Sequence, residues 1–226
     1  MIETPSPNFD SRDGTPITIL VLHYTGMESA DAALQRLADP TARVSAHYLV
    51  AEDGTVVRMV AEEMRAWHAG LSYWRGIRNI NAASIGIEIV NPGHEFGYRP
   101  FTEPQMQAVL LLVKDIVGRY GIAAANVVGH SDVAPARKED PGELFDWGLL
   151  ARHKLALGPV KPVADPHWTD AGTLMALERF GYDVTDAVAA VRAFQRHFRP
   201  ANFDGVIDGE TRAVLLSLLI ADKGSG

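Results

Sequence analysis

Three places in this sequence carry side chains whose type and position could do chemistry. "GHSDVAPARKEDPG" (129–142) holds His130, Lys138 and Asp140. "ITILVLHY" (17–24) ends near His23, and "SIGIEIV" (84–90) carries Glu88 in its interior. Two histidines and one aspartate from separate chain locations are the donor set of an open catalytic zinc site, with the fourth position left for water. Zinc can lower the pKa of such a water toward roughly 7. A carboxylate outside the donor set could then act as general base, and a nearby lysine could stabilise a developing oxyanion. Glu88 and Lys138 have the types for those roles. Spacing alone does not decide it: the nine residues between His130 and Asp140 are not a specific zinc pattern in the way H-E-x-x-H is, and no H-E-x-x-H occurs. Each position also has an ordinary reading. Glu88 could be half of a buried Glu–Arg pair, since a carboxylate inside a central strand is costly unless paired or functional. His23 could be a hydrogen-bonded core residue, and 129–142 a polar surface loop.

The elements that must position these groups follow from the pattern. The run 17–24 is β-branched and dense, with the length of a buried strand, and its alternation puts Ile17, Ile19, Val21 and His23 on one face. Glu88 lies on the face opposite Ile85, Ile87 and Ile89. "NVVGH" (126–130) is a short strand leading directly into His130. Pro141 biases Asp140 toward an extended conformation, and an extended 138–140 would project Lys138 and Asp140 to one side and Glu139 to the other. A helix is expected over 29–40 with Ser29 as N-cap and Pro40 as the stop, and a hairpin over 45–60 around Asp53-Gly54. A longer helix is expected over 103–120, with a Thr102–Gln105 capping box and Gly121 as its C-terminal stop. Strands and helices alternate through residue 150, so the fold class is α/β, with a central mixed sheet flanked by helices.

Residues 157–169, "LGPVKPVADPHWT", carry three prolines and a glycine without periodicity and read as a linker. Beyond it come three short helices, with Asp170, Thr185 and Asp208 as candidate caps and Val188, Val191, Phe194 and Phe198 at helical spacing. The expected organisation is a catalytic domain over 1–156, the linker over 157–169 and a three-helix bundle over 170–222.

The bulk numbers narrow the function class. The chain has 226 residues, 47% hydrophobic and 22% charged, with a formal net charge of -7 and no cysteine. There are no disulfides, and any metal must be held by His, Asp or Glu. The negative charge argues against a nucleic-acid partner, because phosphate binding needs clustered Lys and Arg. The N-terminal "MIETPSPNFDSRDGTP" has neither the basic nor the apolar region of a signal peptide, and no apolar run is long enough for a transmembrane segment. On that basis the expected location is cytoplasmic, or periplasmic if a native signal was removed. A monomer is the default.

"LVLHYT" (20–25), "VSAHYLV" (44–50), "WHAG" (67–70), "SIGIEIVNPG" (84–93) and "NVVGHSDVAPARKEDPG" (126–142) occur together and in this order. That combination resembles the zinc-dependent N-acetylmuramoyl-L-alanine amidases of the AmiD/AmpD type, with the AmiD branch closer. These share a fold with peptidoglycan recognition proteins and lysozyme-type phage amidases. The resemblance covers about 15–155. The pieces "VRAFQRHF" and "DGVIDGETRAVL" resemble the three-helix peptidoglycan-binding domain found beside many wall hydrolases.

The resemblance implies that His23, His130 and Asp140 bind Zn2+, that Glu88 is the catalytic acid/base and that Lys138 stabilises the oxyanion. The implied reaction is hydrolysis of the amide between N-acetylmuramic acid, or its 1,6-anhydro form, and the L-alanine of the stem peptide. The implied partners are muropeptides or peptidoglycan polymer. His47, Trp67 and His68 sit in family-like motifs that would line the substrate groove, although packing explains Trp67 equally well. Asp132 would orient His130 or cap the turn. Arg75, Arg78 and Asn81 suit peptide carboxylates, as they would suit an exposed loop. His94, His153, His167 and His197 have no role in this pattern. The rival readings are a non-catalytic peptidoglycan recognition protein on the same fold, which would typically lack part of the zinc set, and a zinc peptidase acting on the stem.

Overall fold

The computed structural model describes residues 1–223. Its strands are β1 (Ile2–Glu3), β2 (Phe9–Ser11), β3 (Ile19–Tyr24), β4 (Tyr48–Val50), β5 (Val56–Arg58), β6 (Met64–Ala66), β7 (Ser84–Ile89) and β8 (Val127–Gly129). Its helices are α1 (Ala30–Ala38), α2 (Ile80–Ala83), α3 (Gly93–Phe96), α4 (Glu103–Tyr120), α5 (His130–Val133), α6 (Trp147–Arg152), α7 (Asp170–Phe180), α8 (Ala187–Phe198) and α9 (Gly209–Lys223), with a 3-10 turn at Ala124–Asn126. Six strands form one sheet in the order β1-β5-β4-β7-β3-β8, and β2 pairs with β6 separately. The pairs β4–β7, β7–β3 and β3–β8 are parallel and β4–β5 is antiparallel, so the sheet is mixed, as the alternation of elements led us to expect. Among the described residues no helix is long and apolar enough to cross a membrane.

Parallel central strands must be covered on both faces, and β3 and β7 divide their side chains accordingly. Leu20, Leu22, Ile85, Ile87 and Ile89 pack against Val109, Val113 and Ile116 of α4. On the other face Ile19 and Val21 join Trp74 and Ile80, together with Leu177, Phe180, Tyr182 and Phe194 from the C-terminal helical part. One apolar cluster therefore runs from the sheet into α7, α8 and α9, and residues 157–169, which form no helix or strand, cross between them. His23 sits at the end of this second face.

The helix ends show which local signals held. Ser29 caps α1 through the Ala32 N–H, Thr102 caps α4 through Gln105, and Gly121 closes α4 in the left-handed conformation with φ 64°. The Thr102–Gln105 box is only half made, because the Gln105 side chain instead donates to the Val50 and Val90 carbonyls and ties α4 to the sheet. Asp208 accepts from Thr211 as expected. The caps of α7 and α8 are Thr169 and Asp186, not Asp170 and Thr185. In each case the neighbour has the extended backbone that lets a short oxygen reach the N–H three residues on. Residues 138 and 139 follow a turn and belong to no helix or strand. The chain turns at 135–137, the Lys138 N–H donates to Ala134, and Ser131 donates to the Asp140 carbonyl, folding the segment back on itself.

Candidate metal centre

β3, β8 and the turn after α5 bring three side chains to one point. His23 Nδ1 lies 3.0 Å from His130 Nδ1 and 3.0 Å from Asp140 Oδ2, and His130 Nδ1 lies 3.1 Å from the same Asp140 oxygen. All three residues are buried, and together they are a group whose donor atoms could hold one metal ion. They come from positions 107 and 10 residues apart along the chain, so only the folded sheet assembles them.

The hydrogen-bond chain behind them assigns both imidazole tautomers. Ser84 Oγ donates to the Ile80 carbonyl at 2.6 Å, so it accepts from His68 Nε2 at 3.1 Å. His68 Nδ1 is then left to accept from His23 Nε2 at 3.0 Å, which leaves a lone pair on His23 Nδ1. His130 Nε2 donates to the Ala69 carbonyl at 3.0 Å, which frees His130 Nδ1 in the same way. Two imidazole lone pairs and a carboxylate oxygen therefore face one another with no hydrogen between them. That arrangement is repulsive when dry, and a divalent cation relieves it. Two nitrogens and one oxygen at this spacing suit tetrahedral zinc with a fourth position open, and each histidine has the outer partner that metal-binding imidazoles use. Burial, then the neighbouring His130, lowers the His23 pKa to about 4, so the ring is a neutral donor.

Glu88 stands directly across from His23 in the β3–β7 register. It shares that sheet face with Ser84 and Gly86, two small residues that leave a trench. The His68 ring fills it: a Cβ on Gly86 would meet His68 Cγ at 2.5 Å. Glu88 Oε2 is buried without a hydrogen-bond partner, so the Glu–Arg pair considered for this residue does not form. Burial and the Asp140 charge push the Glu88 carboxyl well above its ordinary value, with Lys138 pulling it back.

A cavity of about 1070 Å³ opens over these groups, lined by His23, His68, Glu88, His130, Lys138 and Asp140. Lys138 is half-buried in its wall. Arg36, Arg137, Arg192 and Arg196 also face the cavity, the last two from α8. Glu139 lines it as well and is exposed, within 3.4 Å of His94 and 3.6 Å of Arg196.

Several residues singled out by sequence lie elsewhere. His47 is fully buried beneath the sheet face, where its Nδ1 accepts from the Gly86 N–H and its Nε2 faces the Met64 carbonyl. Trp67 is half-buried under the Arg43 guanidinium and is not part of the cavity wall. Asn81 accepts from the His68 and Ala69 N–H groups and so anchors the segment that carries them. Arg75 donates to the Phe180 carbonyl, and Arg78 lies over Tyr73. His68 does reach the cavity, yet its hydrogen bonds tie it to His23 and Ser84. Sequence reasoning passed over Ser84, Arg192, Arg196 and His94, which bonds Tyr24 and Glu143 at the cavity rim. For Ser84 a signal existed: small residues two and four positions before Glu88 mark the same strand face.

Comparison with known proteins places this geometry in context. The family model described as N-acetylmuramoyl-L-alanine amidase matches residues 13–143. N-acetylmuramoyl-L-alanine amidase AmiD of Escherichia coli is 39% identical over 230 residues, covering 90% of this chain and 82% of that protein. The 1,6-anhydro-N-acetylmuramyl-L-alanine amidase AmpD of Enterobacter cloacae is 37% identical over 162 residues, covering 63% of this chain and 84% of its own. Among solved structures, E. coli AmiD with the substrate anhydro-N-acetylmuramic acid-L-Ala-D-gamma-Glu-L-Lys superposes with a TM-score of 0.82 at 35% identity, covering 95% of this chain and 98% of that one. AmpDh3 from Pseudomonas aeruginosa superposes with a TM-score of 0.84 at 33% identity, covering 98% and 96%.

Proposed function

The chain belongs to the N-acetylmuramoyl-L-alanine amidase family, and from that premise we propose that it is a zinc-dependent hydrolase of the amide joining N-acetylmuramic acid, or its 1,6-anhydro form, to the L-alanine of peptidoglycan stem peptides. The observation that carries the zinc assignment is the meeting of three lone pairs from His23, His130 and Asp140 at 3.0–3.1 Å, beside the unpartnered carboxylate of Glu88.

In this reading His23 Nδ1, His130 Nδ1 and Asp140 Oδ2 hold the ion. When bound, zinc supplies Lewis-acid polarisation of the scissile carbonyl and of water. Glu88 Oε2 takes the proton of the attacking water and returns it to the leaving amide nitrogen, as microscopic reversibility permits. Burial raises the Glu88 carboxyl above its ordinary value, which makes its carboxylate a stronger proton acceptor than an exposed glutamate while still able to return the proton to the leaving nitrogen. Lys138 Nζ, on the cavity wall, donates to the oxyanion of the tetrahedral intermediate. Arg36, Arg137, Arg192 and Arg196 supply the positive field that the carboxylates of a stem peptide require. The helices over 170–222 are assigned to peptidoglycan binding, on the resemblance of "VRAFQRHF" and "DGVIDGETRAVL".

The test is product analysis on anhydro-N-acetylmuramyl-L-Ala-γ-D-Glu-L-Lys with the zinc-loaded full chain. The amidase reading requires free anhydro-sugar plus an intact peptide headed by L-alanine, and loss of both on chelation. Cleavage inside the peptide would identify a stem peptidase. Tight binding with neither product would identify a recognition protein.

A further inference from the structure

Asp132 is fully buried, and every contact that neutralises it is accounted for. Its Oδ2 accepts from the Gly129 N–H at 2.7 Å, which caps α5 immediately before His130. Tyr182 O–H donates to Oδ1 at 2.6 Å, and His197 Nδ1 lies 2.8 Å from Oδ2. Both partners come from the C-terminal helical part and lie outside the stretch 13–143 that the family model matches. They are rigid. Tyr182 packs edge-on to Trp74 at 5.1 Å, and His197 is stacked between Trp147 at 3.7 Å and Phe198 at 3.9 Å, with its Nε2 3.1 Å from the Leu157 carbonyl.

We propose that Asp132 is a positioning residue for His130, and that Tyr182 and His197 complete it, so that the C-terminal helices are a working part of the metal centre. This rests on the reading of His23, His130 and Asp140 as zinc ligands. A fully buried carboxylate keeps its place only while its donors remain, because losing one leaves an uncompensated buried charge. Asp132 is two residues from His130 and holds the N–H just before it, so a shift of this carboxylate moves the backbone that aims His130 Nδ1. The displacement spreads to Asp140, since the Ser131 N–H is bonded to the Asp140 carbonyl at 2.8 Å. Two of the three donors therefore hang on one anchor. The docking of the C-terminal helices does not depend on it: Arg75 bonds Phe180 and Gly181 separately, and the shared apolar cluster lies along β3.

The experiment compares full-length Tyr182→Phe, Asp132→Asn and, as a control, Val191→Ala, which is buried in the same cluster with no hydrogen bond to Asp132. Zinc affinity is measured by chelator competition, with melting temperature, kcat and KM recorded on each protein. Outer partners of metal ligands typically change affinity by about 10–100-fold. Tyr182→Phe, which keeps its ring packing, is expected near the lower end, about 10-fold weaker, with a reduced kcat and little change in KM. Asp132→Asn is expected to lose more. Val191→Ala is expected to melt earlier yet bind zinc as the wild type does. Wild-type zinc affinity and kcat in Tyr182→Phe would overturn the proposal, as would equal weakening in the control. A wild-type chain that takes up no zinc overturns the ligand assignment itself, a distinct and recognisable failure.

Discussion

His23 and Glu88 occupy paired positions on adjacent parallel strands, so a nitrogen of the candidate metal site and an unpartnered carboxylate emerge side by side from one sheet face. Parallel register fixes this relationship more firmly than any loop could. The same face keeps Gly86 and Ser84 below Glu88, and that space admits the His68 ring.

The trench has a direct consequence. Gly86→Ala would place a methyl against the His68 ring and displace it, removing the acceptor that fixes the His23 tautomer. Zinc affinity by chelator competition should fall about 10-fold or more. His68→Phe should do the same while keeping the volume. Ser84→Ala, one bond further out, should weaken zinc less than either.

In the proposed mechanism Lys138 serves the oxyanion and not the metal. Lys138→Met, which keeps the length of the side chain without its charge, should bind zinc normally and lose kcat by roughly 100- to 1,000-fold. KM should change little, because the interaction forms only as charge develops. Steady-state kinetics on an anhydromuramyl tripeptide would separate the two constants.

His47 predicts how stability responds to acid. Burial, then the neighbouring Arg12 charge, lowers its pKa to about 3 in the folded chain. The unfolded value is about 6.5. Between these the unfolded chain carries a proton that the folded chain refuses, so stability is lost as pH falls from about 6.5 toward 3. For this one proton the slope approaches ~1.4 kcal/mol per pH unit. Protonation of Nδ1 would also break the bond it accepts from the Gly86 N–H. Urea midpoints at several pH values should show His47→Gln with a shallower acid decline than the wild type.

Much of this was legible in the chain before folding was considered, and the exceptions have a common cause. Strands β3 and β7 and helices α1 and α4 announce themselves by apolar period and caps, and they carry His23 and Glu88. The helix caps at Thr169 and Asp186 were missed by one residue, because adjacent capping side chains compete and only backbone conformation chooses between them. His47 and Asn81 carry no pattern that separates a groove residue from a buried strut. Tyr182 and His197 lie 50 and 65 residues from Asp132, and nothing in their local sequence points to it. Pairings of that range appear only once the sheet has been built.

The central claim is that His23, His130 and Asp140 hold zinc while Glu88 moves the proton. Its most direct test is Glu88→Ala, measured for zinc content and for release of L-alanine-headed peptide from an anhydromuramyl tripeptide. The account predicts one zinc per chain, as in the wild type, with turnover reduced at least about 100-fold, the lower range for losing a positioned general acid–base. Full turnover in zinc-loaded Glu88→Ala would contradict it.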